Sequence, residues 1–322
     1  MSELIPTRIA YGRALEKLGG ERSDIVVLDA DISCCTYTMY FAERYPERFF
    51  NFGVAEQNMM AAAAGLATTG LLPIANTYAV FASMRAVEQF RTFIAYPDLN
   101  VKVAASHGGV HVGADGPTHQ GIEDIGIYRT IANTTVVSPA DAVATDALLR
   151  AIVEHQGPVY FRLGRAPVPV IYSPEFCFEI GRAVALRTGD DVTLIAVGLM
   201  VHTALEAAEL LARDGIQARV LDCHTVKPLD QAAVVQAAEE TGAIVTVEDH
   251  LVNGGLGSAV AEVLVESRPA PLRRIGLRDT FGESGTMDEL FDKYGLSAPH
   301  VAEAARSVIA RRERGYAHHP RG

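Results

Sequence analysis

The stretch VVSPADAVATDALLRAIVEHQG, residues 136–157, decides the fold class. Two valines lead into Ser138, a good N-cap, and Pro139, which suits the first helical position, while Asp141 lies near the positive end of the helix dipole. This order predicts a strand that passes directly into a helix over 139–155. Working outward, the apolar runs DIVVLDA (24–30), VKVAAS (101–106), TTVVS (134–138) and VYFRLG (159–164) read as buried strands. The segments 55–69, 83–95 and 122–131 read as helices between them. TRIAYGRALEKLGG (7–20) opens the chain with a helix that carries Ile9, Leu15 and Leu18 on one stripe and ends at Gly19–Gly20.

The proline-rich APVPVIYSPEFCFEIGRA (166–183) interrupts the pattern and is read as a linker over 166–182. Beyond it the alternation resumes. DVTLIAVG (191–198), ARVLDC (218–223), AIVTVED (243–249) and LRRIGL (272–277) are strands, with helices at 201–214, 230–241, 256–267 and 287–295. Such alternation implies parallel sheets covered on both faces. The expected architecture is α/β, with two three-layer α/β/α domains spanning 1–165 and 183–322.

A chain of 322 residues, 49% of them apolar and 21% charged, has ample material for two cores. Its 28 basic residues against 39 acidic ones leave a net charge of −11, which opposes binding to nucleic acid or to anionic membranes. The cysteines, at 34, 35, 177 and 223, show no metal-ligand spacing and read as reduced thiols. With no secretory leader in the first residues, the expected compartment is the cytoplasm. Residues 57–84 include no charge at all, but the run is mostly Ala, Gly and Thr and is broken by Pro73, so it reads as a buried helix followed by a loop.

Glu56 stands at the head of that run, where a carboxylate at a helix N-terminus is favoured by the helix dipole. Further on, SHGGVHVGADGPTHQGIED (106–124) places His107, His111, Asp115 and His119 within thirteen residues on a glycine-rich loop, a composition suited to proton transfer at neutral pH. FGVAEQN (52–58), NTYAVFASMRAVEQ (76–89) and this loop together resemble the pyrimidine-binding domain of transketolases. VEDHLVNGGLGSAVAEVL (247–264) and FGESGTMDELFDKYGL (281–296) resemble the transketolase C-terminal domain. The first of these lacks the register of a dinucleotide fingerprint and is read as a turn into a helix near the domain interface. The resemblance covers roughly residues 7–310, and DGPTHQ is its most specific part. The Glu56 motif is shared with 1-deoxyxylulose-5-phosphate synthases and with beta subunits of 2-oxo acid dehydrogenases, which remain alternatives, as does a non-catalytic regulatory partner.

The resemblance implies a subunit that uses thiamine diphosphate to move a two-carbon ketol unit from a ketose to an aldose. Glu56 would hydrogen-bond the pyrimidine ring, with Tyr78, Phe81 and Met84 around it, Met84 replacing the usual tyrosine. Asp115 and His119 would hold a substrate hydroxyl and manage its proton. His107, Arg165 and Arg8 would grip an anionic end, and His111, where the family has a small residue, would enter the substrate pocket. No Gly-Asp-Gly motif is present, so Mg²⁺ and the diphosphate are assigned to a separate N-terminal transketolase subunit in an α₂β₂ assembly, with no metal ligand expected here. Pentose phosphates, branched sugar phosphates and sulfosugars are all open as substrates.

Overall fold

The computed structural model describes residues 3–313. Its larger sheet has seven strands in the order Thr225–Lys227, Thr135–Val137, Val159–Arg162, Lys102–Ser106, Leu72–Tyr78, Ile25–Asp29 and Phe49–Asn51. Six run parallel; only Thr225–Lys227, contributed by the second half of the chain, is antiparallel. The smaller sheet has the order Leu272–Leu277, Ile244–Leu251, Val192–Ala196, Ala218–Asp222 and Val184–Arg187, with the last strand antiparallel at the edge. Helices cover both faces of each sheet, which confirms the expected α/β architecture of two layered domains.

Burial of both faces is visible residue by residue. Along Ile25–Asp29, Ile25 and Val27 pack in one hydrophobic cluster and Val26 and Leu28 in the other. Both clusters continue through the second sheet, where Leu194 belongs to one and Ile195 to the other. The two halves therefore share their cores. Residues 166–182 carry a short strand, Pro167–Pro169, that pairs antiparallel with Leu4–Pro6.

The helix anticipated over 139–155 runs Ala142–Glu154, and its N-cap is Asp141, whose side chain accepts from the Ala144 amide. Ser138 and Pro139 lie before the helix: Ser138 N–H is taken by the carbonyl of His224, so that residue is committed to the sheet edge. The first helix, Thr7–Glu21, passes through Gly19 and Gly20 instead of ending there. Gly19 lies against the rings of Phe41 and Tyr45, where a Cβ would clash. The loop expected after helix Glu56–Ala67 is in fact an inner strand, Leu72–Tyr78, wholly buried despite Pro73 and Asn76. Asn76 is accommodated because its side chain accepts from Tyr11 Oη and donates to the carbonyls of Leu28 and Ile74. Among the described residues no helix is long and apolar enough to cross a membrane.

The continuous helix expected over 83–95 is also divided. Helix Ala79–Met84 ends at Arg85, and a short turn Val87–Gln89 runs into wide helical turns at Phe90–Ala95. Arg85 caps the first of these pieces, its amide donating to the carbonyl of Phe81, and its side chain reaches Glu56.

Candidate active site

In an open parallel sheet, ligands bind beyond the carboxyl ends of the strands, where the strand order reverses. Here the chain goes outward from Ile25–Asp29 to Phe49–Asn51, then crosses back to add Leu72–Tyr78 on the other side. At that end stand Tyr78, closing its strand, His107, just after Lys102–Ser106, and Arg165, just after Val159–Arg162. The adjoining loop after Asp29 is tied down by its buried carboxylate, which accepts from the Ile32 amide and from the hydroxyls of Thr36 and Thr38. That loop brings Cys35 to Arg8, whose Nη1 donates to the Cys35 carbonyl at 2.9 Å.

The aromatic and imidazole rings form one cluster. Tyr78 stacks on Phe81 with centroids 5.6 Å apart and lies 4.0 Å from the His107 ring. His119 meets the edges of both, at 5.8 Å from Tyr78 and 5.5 Å from Phe81, and its Nδ1 pairs with Thr118 Oγ1. His107 is buried with a left-handed backbone, φ 64°, and its Nδ1 is 2.9 Å from Ser106 Oγ. Burial, and then the neighbouring basic groups led by Arg8, push its pKa down to about 2. A histidine so surrounded stays neutral, and the Arg8 and Arg165 guanidinium groups near it form a field that favours an anion. Arg8 Nε is buried with no acceptor among the described residues, a donor left for a bound group.

Glu56 begins its helix and is buried, as its position before an uncharged run suggested. Its carboxylate is not surrounded by apolar groups alone. Arg85 Nη1 lies 2.9 and 3.1 Å from its two oxygens, while the same guanidinium sits 4.0 Å above the Phe81 ring. Local pattern gives Arg85 no role, although it stands directly after Met84 in the quoted cluster. Met84 itself is 53% exposed and lies outside the ring cluster.

His111 is placed elsewhere. Its Nδ1 is 2.6 Å from Asp249 Oδ2, and its Nε2 accepts from the Arg165 amide at 3.0 Å, so both nitrogens are engaged in the joint between the domains. Its ring is fully buried there beside Asp249. Asp115 is exposed and 3.6 Å from Arg165 Nε, and Arg165 also donates to the carbonyl of Val112. These two therefore face the open side of the loop.

The VEDH segment holds that loop in place. Asp249 accepts from the amides of Val110 and His111 as well as from the imidazole of His111. Burial alone would raise its pKa, but the hydrogen bond from His111, with the Arg162 charge and the Val110 amide, holds it below the usual carboxylate value. Glu248 accepts from the amides of Leu256 and Gly257 at the start of helix Leu256–Glu266, and His250 Nε2 accepts from Gly126. VEDH thus ends strand Ile244–Leu251 and anchors the loop, and the residues after it turn into helix Leu256–Glu266 at the domain interface, as the sequence suggested. Below it, Arg162 forms a buried pair with Asp124 and donates to the carbonyls of Gly121 and Asp249.

The donor set fits an aminopyrimidine: a buried carboxylate beside a flat aromatic face, rimmed by imidazoles. Comparison with known proteins agrees. Residues 3–170 match the transketolase pyrimidine-binding domain and residues 181–301 the transketolase C-terminal domain. The chain is 46% identical to a 6-deoxy-6-sulfo-D-fructose transketolase subunit of Clostridium sp. (strain MSTE9), over 89% of each. It is 38% identical to one of the subunits of the apulose-4-phosphate transketolase of Phocaeicola vulgatus, over 96% of this chain and 99% of the other. A split gene transketolase solved as an inactive β₄ tetramer superposes with a TM-score of 0.90 and 51% identity, covering 95% and 99% of the two chains. The chain therefore belongs to the transketolase family, as a transketolase subunit composed of the pyrimidine-binding and C-terminal domains.

Proposed function

We propose that this subunit binds the pyrimidine half of thiamine diphosphate and, with a separate subunit that holds Mg²⁺ and the diphosphate, transfers a two-carbon ketol unit from an anionic ketose to an aldose. The observation that carries the reading is the buried Glu56, joined through the Arg85 guanidinium to the Phe81 ring, which itself clusters with the Tyr78, His119 and His107 rings. Glu56 would hold the pyrimidine edge and Phe81 its face, with Tyr78 behind Phe81. When bound, thiamine diphosphate supplies the carbon nucleophile and electron sink that ketol transfer needs.

The chain's own side chains do the rest. His119, at the edge of Phe81, is positioned to carry the proton of a substrate hydroxyl, and Asp115 to accept a hydrogen bond from one. His107, held neutral, donates or accepts through Nε2 without adding charge. Arg8 and Arg165 receive the anionic end, phosphate or sulfonate alike, through charge-assisted hydrogen bonds. The free state of all four cysteines suits a cytoplasmic enzyme. An α₂β₂ assembly follows if the two subunits divide one active site and pair as two.

The test is ketose cleavage by the chain reconstituted with its diphosphate-binding partner. Cleavage that is lost in Glu56→Ala, with no decarboxylation of 2-oxo acids by the wild type, is the expected result. Full cleavage by Glu56→Ala would overturn the reading, and 2-oxo acid decarboxylation would transfer it to the dehydrogenase class.

A further inference from the structure

One guanidinium occupies both surfaces that a pyrimidine would need. Arg85 Nη1 bridges the two oxygens of Glu56 at 2.9 and 3.1 Å, and its Cζ stands 4.0 Å from the centroid of Phe81. A guanidinium and an aminopyrimidine present the same chemistry here, a flat π-face for stacking and an edge of N–H donors for a carboxylate. The two partners differ in freedom. The Glu56 side chain is 2% exposed and fixed at the start of its helix, whereas that of Arg85 is 46% exposed and follows the end of helix Ala79–Met84. Arg85 has a way out to solvent; Glu56 does not.

We propose that Arg85 is a placeholder: it occupies the carboxylate and the aromatic face until the cofactor's pyrimidine displaces it, and so sets the affinity of the slot. The inference rests on the reading that Glu56 binds the pyrimidine. A buried carboxylate left without a partner is costly, so the placeholder keeps the empty slot stable. The same contact must be broken for the ring to enter, and the cofactor's apparent affinity is lowered by that competition.

The test is calorimetric titration of thiamine diphosphate with Mg²⁺ into the full chain reconstituted with its partner, comparing wild type, Arg85→Met, Arg85→Lys and Glu56→Gln. Arg85→Met removes the competing charge and is expected to tighten binding by about tenfold, the equivalent of about 1.4 kcal/mol. Arg85→Lys, which keeps the charge without the flat face, should fall between. In the chain alone, the same Arg85→Met should unfold at lower urea concentration than wild type, because Glu56 loses its partner. Unchanged or weaker cofactor binding by Arg85→Met would overturn the proposal and make Arg85 a permanent support of Glu56. Should Arg85→Met not fold, the Lys variant decides by the same sign. If Glu56→Gln binds as wild type does, it is the pyrimidine reading itself that fails; if Glu56→Gln weakens binding while Arg85→Met does not tighten it, only the placeholder fails.

Discussion

Replacing Asp249 should loosen the histidine loop without touching the cofactor slot. Its two carboxylate oxygens receive the Val110 amide at 2.9 Å, the His111 amide at 3.3 Å and His111 Nδ1 at 2.6 Å, all three buried. Asp249→Ala leaves three buried donors without acceptors. Each unsatisfied group costs about 1–3 kcal/mol, and water entering the vacated space restores part of that, so a loss of about 3–5 kcal/mol is expected. Asp249→Asn keeps one acceptor oxygen but gives up the charge, for a loss of about 1–2 kcal/mol. Urea unfolding of the isolated chain measures both, and hydrogen exchange at the Val110 and His111 amides locates the effect. In the reconstituted enzyme kcat should fall at least about tenfold, since His107, Asp115 and His119 are displaced with the loop. Thiamine diphosphate affinity should stay within about twofold, because Glu56 and Phe81 lie on other elements. A stability loss for Asp249→Ala under about 1 kcal/mol, with exchange at the two amides unchanged, would refute the view that Asp249 anchors the loop.

Further outcomes follow from neighbouring groups. Gly109 has φ 101° and no room for a Cβ against the Asp249 carboxylate, so Gly109→Ala should reproduce the Asp249→Ala phenotype in both unfolding and kcat; wild-type behaviour would contradict it. His107, with its pKa at about 2, should show no titration by NMR between about pH 5 and 8. The unfolded chain takes up that proton near pH 6.5, so His107 lowers stability by about 2 kcal/mol as pH falls from about 6.5 to 5, and a titration midpoint near 6 would contradict this. Asp222 has its carboxyl pushed up to about 7, by burial first and by Asp141 in addition, although the Tyr172 hydroxyl donates to it. Its folded value lies above the unfolded one, so its stabilising contribution is full below about pH 4 and is lost as pH rises to about 7. Asp222→Asn should flatten that part of the stability profile, and a profile of unchanged slope would contradict the assignment.

The parts of the fold legible in the sequence are those where a single interaction dominates. A run such as IVVLD at 25–29 needs burial on both faces and can only be an inner strand, which is why both layered domains are readable. Leu72–Tyr78 is hidden from local pattern because Pro73 and Asn76 look like loop residues; what makes Asn76 a strand residue is its hydrogen bond with Tyr11, 65 positions away. The helix at 142–154 is readable but its cap is not, since Ser138 is drawn into pairing with His224 and Asp141 takes the capping role. Strand Thr225–Lys227 cannot be assigned to the first sheet from local pattern at all, because its partner lies in the other half of the chain.

The candidate site divides in the same way. Phe81, Tyr78, His107 and His119 form one ring cluster, Arg85 joins it to Glu56, and Arg8 and Arg165 are among the charges that act on His107. His111 looks like a pocket residue because it shares a loop with them, but its partner Asp249 is 138 positions distant and invisible to local reading. Arg85 is masked by neighbours whose aromatic rings carry the local signal, and its partner Glu56 lies 29 positions away. Polar residues that act through long-range partners are the ones that one-dimensional pattern cannot place.

The most direct test of a shared cofactor site is calorimetric titration of thiamine diphosphate and Mg²⁺ into the purified chain, alone and then mixed with its diphosphate-binding partner. The account predicts no measurable binding to the chain alone and tight binding to the mixture. Tight binding to the isolated chain would contradict it, because the diphosphate would then be held by residues of this chain itself.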